Sequence, residues 1–382
     1  MLLIEADGKA LFSEYGIAVP AGHVLTHVLT GGEAPQPPPG PGPWMVKAQI
    51  PVGGRGQAGG IKRCTTPAEI AAAAEKMLGT RLKGHTVDAV LIEQTAAGRE
   101  CYLALMLDPP SYGVRVLYSA AGGVDVEQQA AIVSRLCPPD RNAIAAALTE
   151  LLAGEPEPAR TALADTGRKL ANLLIERELM LAEINPLFVS ATGILAGDAK
   201  LVVDLNAIDR QPEIGKIIAA RPAIYADACR KIEEGFDYVE LDPEGEIGLV
   251  TTGAGLSMML IDEMTARGGR PLNFCDIRTG EFRGSPVRLM RVLAWIAARP
   301  SVKVILVNIF AGITDLGEFA GLLADAIAQS PALKLPIVVR LVGNGAATAK
   351  QILAERMPGL VMEQDLDAAL AHVARATGRA AA

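Results

Sequence analysis

The chain has 382 residues, half of them apolar, and a net charge of −7: enough for two or three domains with real cores, with no basic stripe for nucleic acid. It has no run of about 18 apolar residues to span a bilayer, and its N-terminus lacks the charged start and apolar stretch of a signal peptide. Cys64, Cys101, Cys137, Cys229 and Cys275 are odd in number and scattered, which suits reduced thiols in a cytoplasm better than a disulfide framework.

In chain order, the Pro/Gly-rich stretch from Gly31 to Pro43 reads as a surface loop. A strand from Trp44 then delivers Lys47 into a glycine-rich loop, Gly53-Gly54-Arg55-Gly56-Gln57-Ala58-Gly59-Gly60. Glycines let backbone N–H groups approach phosphate oxygens, and Lys47 and Arg55 add positive charge at the two ends. The spacing matches neither G-x-G-x-x-G nor G-x-x-x-x-G-K-[ST], so a flexible glycine hairpin stands as the alternative to a new kind of cradle. Pro67 to Leu78 is alanine-rich and predicts a helix, with Thr66 as its cap and Pro67 at its first position. Ala89 to Glu93 predicts a buried strand ending in a carboxylate, and Glu100 and Tyr102 follow on the next strand.

Leu179 to Ile184 and Ile194 to Val203 are both strand-like, and a hairpin would bring Glu183, Asn185 and Asp198 to one end. Such residues are commonly solvated turn formers. Equally, hard oxygen donors in that number suit Mg²⁺ with phosphate oxygens completing its shell. Near Phe236 to Gly245 the pattern changes to alternating strands and helices. The short apolar runs Ile247 to Val250, Val302 to Val307 and Pro336 to Leu341, each followed by a glycine turn and a helix-length segment, predict a parallel doubly wound sheet. Ligands in such sheets lie at the carboxyl ends of strands, where the Gly253, Gly312 and Gly343 loops gather.

These blocks, with Leu11-Phe-Ser-Glu-Tyr-Gly16, Glu183-Ile-Asn-Pro-Leu187, Asn206-Ala-Ile-Asp-Arg-Gln-Pro212, Gly253-Ala-Gly255, Val307-Asn-Ile-Phe310 and Val339-Arg-Leu-Val-Gly-Asn344, follow one another in the order of a known family. Over nearly its whole length the chain resembles the β subunit of succinyl-CoA synthetase, an ATP-grasp, NDP-forming acyl-CoA synthetase. The resemblance implies an α/β fold, with an ATP-grasp domain of two α+β subdomains over 1–236 and a flavodoxin-like CoA-ligase domain over 237–382 that contacts an α subunit. It further implies that Lys47, Gly53, Gly54, Arg55, Gly56, Glu93, Ala96 and Glu100 bind ATP or GTP, that Asn185 and Asp198 bind Mg²⁺, and that Glu183 orients an incoming histidine. The family carries phosphate on a phosphohistidine. The histidines here, His23, His27, His85 and His372, do not sit in a glycine-rich loop ahead of a helix, so the carrier histidine and the main CoA site are expected on a separate α subunit.

The departures from the family pattern cluster at the organic-acid end. Thr252 replaces an asparagine before Gly253-Ala-Gly255, Asp276-Ile-Arg278-Thr279-Gly280-Glu281 replaces a glycine-rich run with a short insertion after it, and Phe310-Ala311-Gly312-Ile313 replaces Phe-Gly-Gly-Ile. The expected acid-side residues are Thr252, Arg278, Gly312, Ile313 and Thr314. Loss of an amide donor changes which acids are accepted, and the planar fork of Arg278 suits another carboxylate. Succinate, or a substituted or larger acid such as malate, citramalate, itaconate or citrate, is the expected substrate. Alternatively Arg278 pairs with Glu281 or with an acid of the partner. Another ATP-grasp carboxylate ligase and a non-catalytic regulatory subunit are the competing classes; the second domain argues against the first, and the intact nucleotide-side residues argue against the second.

Overall fold

The computed structural model describes residues 1–26, 36–123, 132–282 and 284–379. They form two compact units, Met1–Tyr225 and Ala226–Ala382. The second unit therefore begins with the helix Ala226–Glu234, ahead of the pattern change read at Phe236, because that helix packs on the strand Asp237–Glu240. Arg230 on this helix lies over the rings of Tyr238 and Trp295.

The first unit contains a four-stranded antiparallel sheet in the order Gly22–Leu25, Val90–Gln94, Trp44–Ala48, Ile61–Cys64. Strand alternation decides which side chains reach the site. Trp44, Val46, Ala48, Val90 and Ile92 enter one core with Ile70 of the helix Pro67–Met77. Met45, Lys47 and Glu93 point to the other face, where they line a cavity. The helix begins as expected, with Thr66 Oγ1 accepting from Glu69 N at 3.2 Å and Pro67 in its first turn. The part of the loop at residues 36–43 is irregular up to Trp44; residues 31–35, like His27 and the insertion at Arg283, lie outside the described residues.

A second, six-stranded sheet contains Gly193–Ala196, Leu179–Ser190, Arg99–Asp108, Gly113–Ser119 and Val133–Cys137, with Lys200–Val203 also paired to Leu179–Ser190. The strand Leu179–Ser190 runs 12 residues through Asn185 and Pro186. The hairpin turn thus falls beyond Ser190, and the Glu183–Asn185 segment lies inside a strand, not at a strand end. Its partner breaks instead. Glu183 pairs with Lys200 and Leu187 with Ala196, which leaves Gly197-Asp198-Ala199 as an irregular step opposite Asn185 and Pro186.

The second unit has a parallel sheet in the order Ile247–Thr251, Val304–Ala311, Ile337–Gly343, Val361–Glu363. Alternation again divides it. Val250, Ile305, Val307, Val339 and Leu341 pack with Leu289, Phe319 and Leu323 on one face, whereas Leu249, Leu306 and Val338 pack with Leu260, Met264 and Leu370 on the other. Helices on both faces make it doubly wound, as the flavodoxin-like expectation requires. The strand Asn273–Asp276 runs beside Ile247–Thr251 through a side chain: Asn273 Oδ1 accepts from Leu249 N and its Nδ2 donates to Leu249 O, both at 2.9 Å.

Candidate active site

The first unit holds a cavity of about 620 Å³. Its wall includes Lys47, Gly53, Gly54, Arg55, Gly56, Glu93, Ala96, Glu100, Glu183, Asn185 and Asp198. Every nucleotide-side residue named from the sequence meets there, although the chain between the first and the last exceeds a hundred residues.

The floor is a buried ion cluster. Lys47 Nζ donates to Glu5 Oε1 at 2.7 Å and to the Gly197 carbonyl at 2.8 Å, and pairs with Glu93 Oε1 at 2.8 Å. Lys9 Nζ contacts Glu5 Oε1 at 2.7 Å, Glu93 Oε2 at 2.6 Å and the same carbonyl at 3.0 Å. Arg55 bridges Glu5 Oε2 at 2.8 Å and Asp198 Oδ1 at 3.1 Å, while donating to Ala48 O. Gly197 must be glycine: a Cβ there would stand 2.3 Å from Phe188 Cε2.

Charge pairing overrides burial in this cluster. Burial works to neutralise Glu5, yet Lys9, Lys47 and Arg55 hold its carboxyl well below the usual range. Burial likewise works against the Lys47 ammonium, and Glu5 and Glu93 raise its pKa. Asp198 goes the opposite way: burial first, then the Glu5 carboxylate, push it up against the pull of Arg55 and the lysines. Its side chain is nonetheless 31% exposed toward the cavity.

On the opposite wall, Glu183 receives the Tyr102 hydroxyl and Lys200 Nζ on Oε2, both at 3.3 Å. Asn185 shares the Glu183 face of the strand and is clasped by Gly123, with Gly123 N donating to Oδ1 at 2.7 Å. Glu93 is engaged with both lysines, so among the two acids named beside the nucleotide, Glu100 is the exposed one. The donors Asn185 Oδ1 and Asp198 form a hard oxygen pair that could hold a small divalent cation whose remaining positions are filled by phosphate oxygens. Among the described residues no group of three or more His, Cys, Asp or Glu could hold a metal ion.

The residues expected on the acid side belong to the second unit. Asp276 Oδ1 accepts from Gly253 N at 2.9 Å and from Arg278 N at 3.3 Å, and the hydroxyls of Thr279 and Thr314 meet at 3.0 Å. The loops carrying Thr252, Arg278 and Gly312–Thr314 are thereby tied together at the carboxyl edge of the sheet. Arg278 is left-handed, with φ +48°, and its guanidinium lies 3.6 Å from Asp237 Oδ2. The Glu281 side chain lies outside the described residues. Phe310, near the end of the strand Val304–Ala311, and Ile313, on the loop after it, are 57% and 98% exposed. Of the histidines, His23 lies in a strand, His85 in a short hairpin, and His372 pairs with Glu363 at 3.1 Å.

An ATP-grasp domain model matches residues 2–189 and a CoA-ligase model matches 250–374. The succinate–CoA ligase [ADP-forming] subunit beta of Halorhodospira halophila is 36% identical over 401 positions and covers 100% of both chains. The chain belongs to the succinate–CoA ligase β-subunit family. The like-named subunit of Rubrobacter xylanophilus is 37% identical, with 97% of each chain covered. A succinate–CoA ligase β-family chain is part of an acid–thiol ligase, and the match to the Halorhodospira halophila subunit runs over both units. ATP citrate lyase from Methanothrix soehngenii shares the fold, with a TM-score of 0.73 over 99% of each chain at 18% identity.

Sequence reasoning missed Glu5, Lys9, Gly123 and Gly197. A signal existed for the first two. In the helix Glu5–Glu14, Glu5, Gly8, Lys9 and Phe12 fall on one face and are all buried, so charges at helical spacing beside Phe12 were out of place on an apolar stripe.

Proposed function

We propose that this chain is the nucleotide-handling subunit of an NDP-forming acyl-CoA synthetase. The overall conversion is nucleoside triphosphate, organic acid and CoA to acyl-CoA, nucleoside diphosphate and phosphate. In this reading the γ-phosphoryl group passes to a ring nitrogen of a histidine on a separate α subunit, and the diphosphate leaves. The phosphate then moves to the acid carboxylate, and CoA thiol, bound mainly by the partner, displaces it. The observation that carries the proposal is the single cavity into which Lys47, the Gly53–Gly56 loop, Glu183, Asn185 and Asp198 all open. Names of full-length relatives support the reaction class.

Lys47, Arg55 and the loop N–H groups hold and polarise the phosphates, since phosphoryl transfer depends mostly on positioning and charge neutralisation. Asn185 and Asp198 would hold Mg²⁺, which when bound supplies positive charge across the phosphate oxygens. Glu183 orients the partner histidine and stabilises its cationic form. The absence of a histidine in a glycine-rich helix-start among the described residues supports a carrier on the partner, and the exposed Phe310 and Ile313 support a covered edge there. The five cysteines are all free, and no helix among the described residues is long and apolar enough to cross a membrane; both support a cytoplasmic enzyme. Purified chain, combined with its partner subunit and γ-labelled triphosphate, should place label on the partner. An unlabelled partner overturns the reading.

The acid is a succinate-like dicarboxylate or a larger substituted acid such as malate, citramalate, itaconate or citrate. Thr252 and Arg278 on linked loops support a site altered from the usual succinate pattern. A panel of acids in the thioester-forming assay decides, and succinate as the clear best substrate rejects the substituted acids.

A further inference from the structure

Lys47 and Arg55 both line the cavity, and both depend on one carboxylate that the proposed chemistry does not use. Glu5 has no solvent-exposed side-chain surface. Its Oε1 takes Lys47 at 2.7 Å and its Oε2 takes Arg55 at 2.8 Å. Lys9, one helical turn on, contacts Oε1 and reaches across to Glu93; it is not part of the cavity wall. Lys9, Lys47 and Arg55 are thus offset by Glu5, Glu93 and Asp198, and the floor is close to neutral before any phosphate arrives.

An acid beside phosphate-binding cations weakens their pull on a triphosphate, which is a poor design for ground-state affinity alone. It makes sense if placement matters more than net charge. Lysine and arginine side chains are rotamer-rich, and donors already fixed where charge develops require no reorganisation at the moment of transfer. The carboxylate spans both cations with its two oxygens, so it sets their separation as well as their direction.

Building on the proposed phosphoryl transfer, we propose that Glu5 is a positioning residue: it holds the Lys47 ammonium and the Arg55 guanidinium at a set spacing for the triphosphate, and the helix Glu5–Glu14 acts as the bracket that carries it. Glu5 acts through those cations, so its loss slows transfer more than it weakens binding, because interactions realised only in the transition state govern the rate.

Three full-length variants test this with the partner subunit present. Glu5→Gln removes one charge; Glu5→Gln/Lys9→Gln removes a pair and keeps the cluster balanced; Glu5→Asp keeps the charge and shortens the reach. The balanced double variant should fold like the parent and bind Mg-ATP within about 3-fold of it, yet label the partner at least about 10-fold more slowly at saturating nucleotide. Glu5→Asp should be slow too, which separates reach from charge. Parental rates in the double variant or in Glu5→Asp overturn the proposal. So does a loss confined to nucleotide affinity, and so does failure of both to fold, since that makes Glu5 a prop of the fold. A crystal structure of the Glu5→Asp chain reports independently of labelling: Lys47 and Arg55 should leave their present partners. If the parent itself leaves the partner unlabelled, the functional reading fails on that lane alone, while the crystal structure still judges the placement.

Discussion

Asn185 and Gly123 form a closed two-point clasp, with Gly123 N donating to Asn185 Oδ1 at 2.7 Å and Asn185 Nδ2 donating to Gly123 O at 3.2 Å. The clasp settles which end of the amide is oxygen and leaves that oxygen a second lone pair. An amide held this way presents its oxygen already aimed, as the proposed Mg²⁺ ligand needs. Asn185→Ala removes both the ligand and the clasp. The Mg²⁺ concentration needed for half-maximal nucleotide binding should rise about 10- to 100-fold, while stability falls by only about 2 kcal/mol, the worth of two ordinary hydrogen bonds. Calorimetric titration of Mg²⁺ at fixed ATP measures the first; an unchanged midpoint would remove Asn185 from the metal site.

Glu183 is only 13% exposed, yet its cationic neighbour Lys200 is 42% exposed. An ion pair that open contributes at most about 1 kcal/mol. Glu183→Gln retains the shape and the acceptor for Tyr102, so the melting curve should hardly move. The negative charge proposed to face an incoming imidazolium is gone, and the rate of partner labelling should drop about 10²-fold. Labelling at the parental rate would strike Glu183 from the mechanism.

The gathering of these residues round one cavity was legible because its signals are local. Glycines crowd one loop, and period-2 alternation carries Met45, Lys47 and Glu93 to one face and Trp44, Val46 and Ile92 to the other. The doubly wound second unit was legible for the same reason: short β-rich runs end in glycine turns. The bracket beneath the site was not, because Lys9 meets Glu93 across 84 residues of sequence, and no local pattern names a partner that distant. The strand through Asn185 and Pro186 was also hidden. Asn-Pro reads as a turn, and pairing with Lys200–Val203 before it and with Gly193–Ala196 after it overrides that preference. The second unit takes in the helix Ala226–Glu234, whose Arg230 packs over Tyr238 and Trp295.

Acid titration should expose the Glu5 bracket through stability. Burial opposes its charge and the pull of Lys9, Lys47 and Arg55 prevails, so the native carboxyl protonates far below the unfolded value of 4.5. Its contribution is present in full above pH 4.5 and fades as pH falls through the native value, because below 4.5 the unfolded chain takes up a proton that the native chain refuses. From this one group the parent loses up to about 1.4 kcal/mol per pH unit. Glu5→Gln cannot titrate. It should be about 3 kcal/mol less stable than the parent at pH 7, the cost of leaving buried cations short of a partner, and that gap should narrow steadily below pH 4.5. Urea melts of both proteins from pH 7 to pH 3 measure it, and a gap independent of pH would contradict the placement of Glu5.

Arg278 gives the sharpest separation of function from stability. Its φ of +48° lies in the left-handed region, which costs a residue with a Cβ about 1 kcal/mol relative to glycine. One contact of its side chain is a half-exposed pair with Asp237 at 3.6 Å, worth no more than about 1 kcal/mol. Arg278→Gly relieves the backbone and loses the pair, whereas Arg278→Ala keeps the strain and loses the pair as well. The glycine variant should therefore melt at or above the alanine variant. Both keep the backbone hydrogen bond from residue 278 to Asp276, so the loop stays tied to Gly253 N. If the guanidinium grips an acid carboxylate, both variants should raise KM for the preferred acid by about 10-fold or more, the worth of a charge-assisted hydrogen bond, with Mg-ATP affinity unchanged. A left-handed arginine where glycine is the relaxed choice is the outlier that motivates testing its side chain. Unaltered acid preference in both variants would leave Arg278 as the surface partner of Asp237 and shift the specificity question to Thr252.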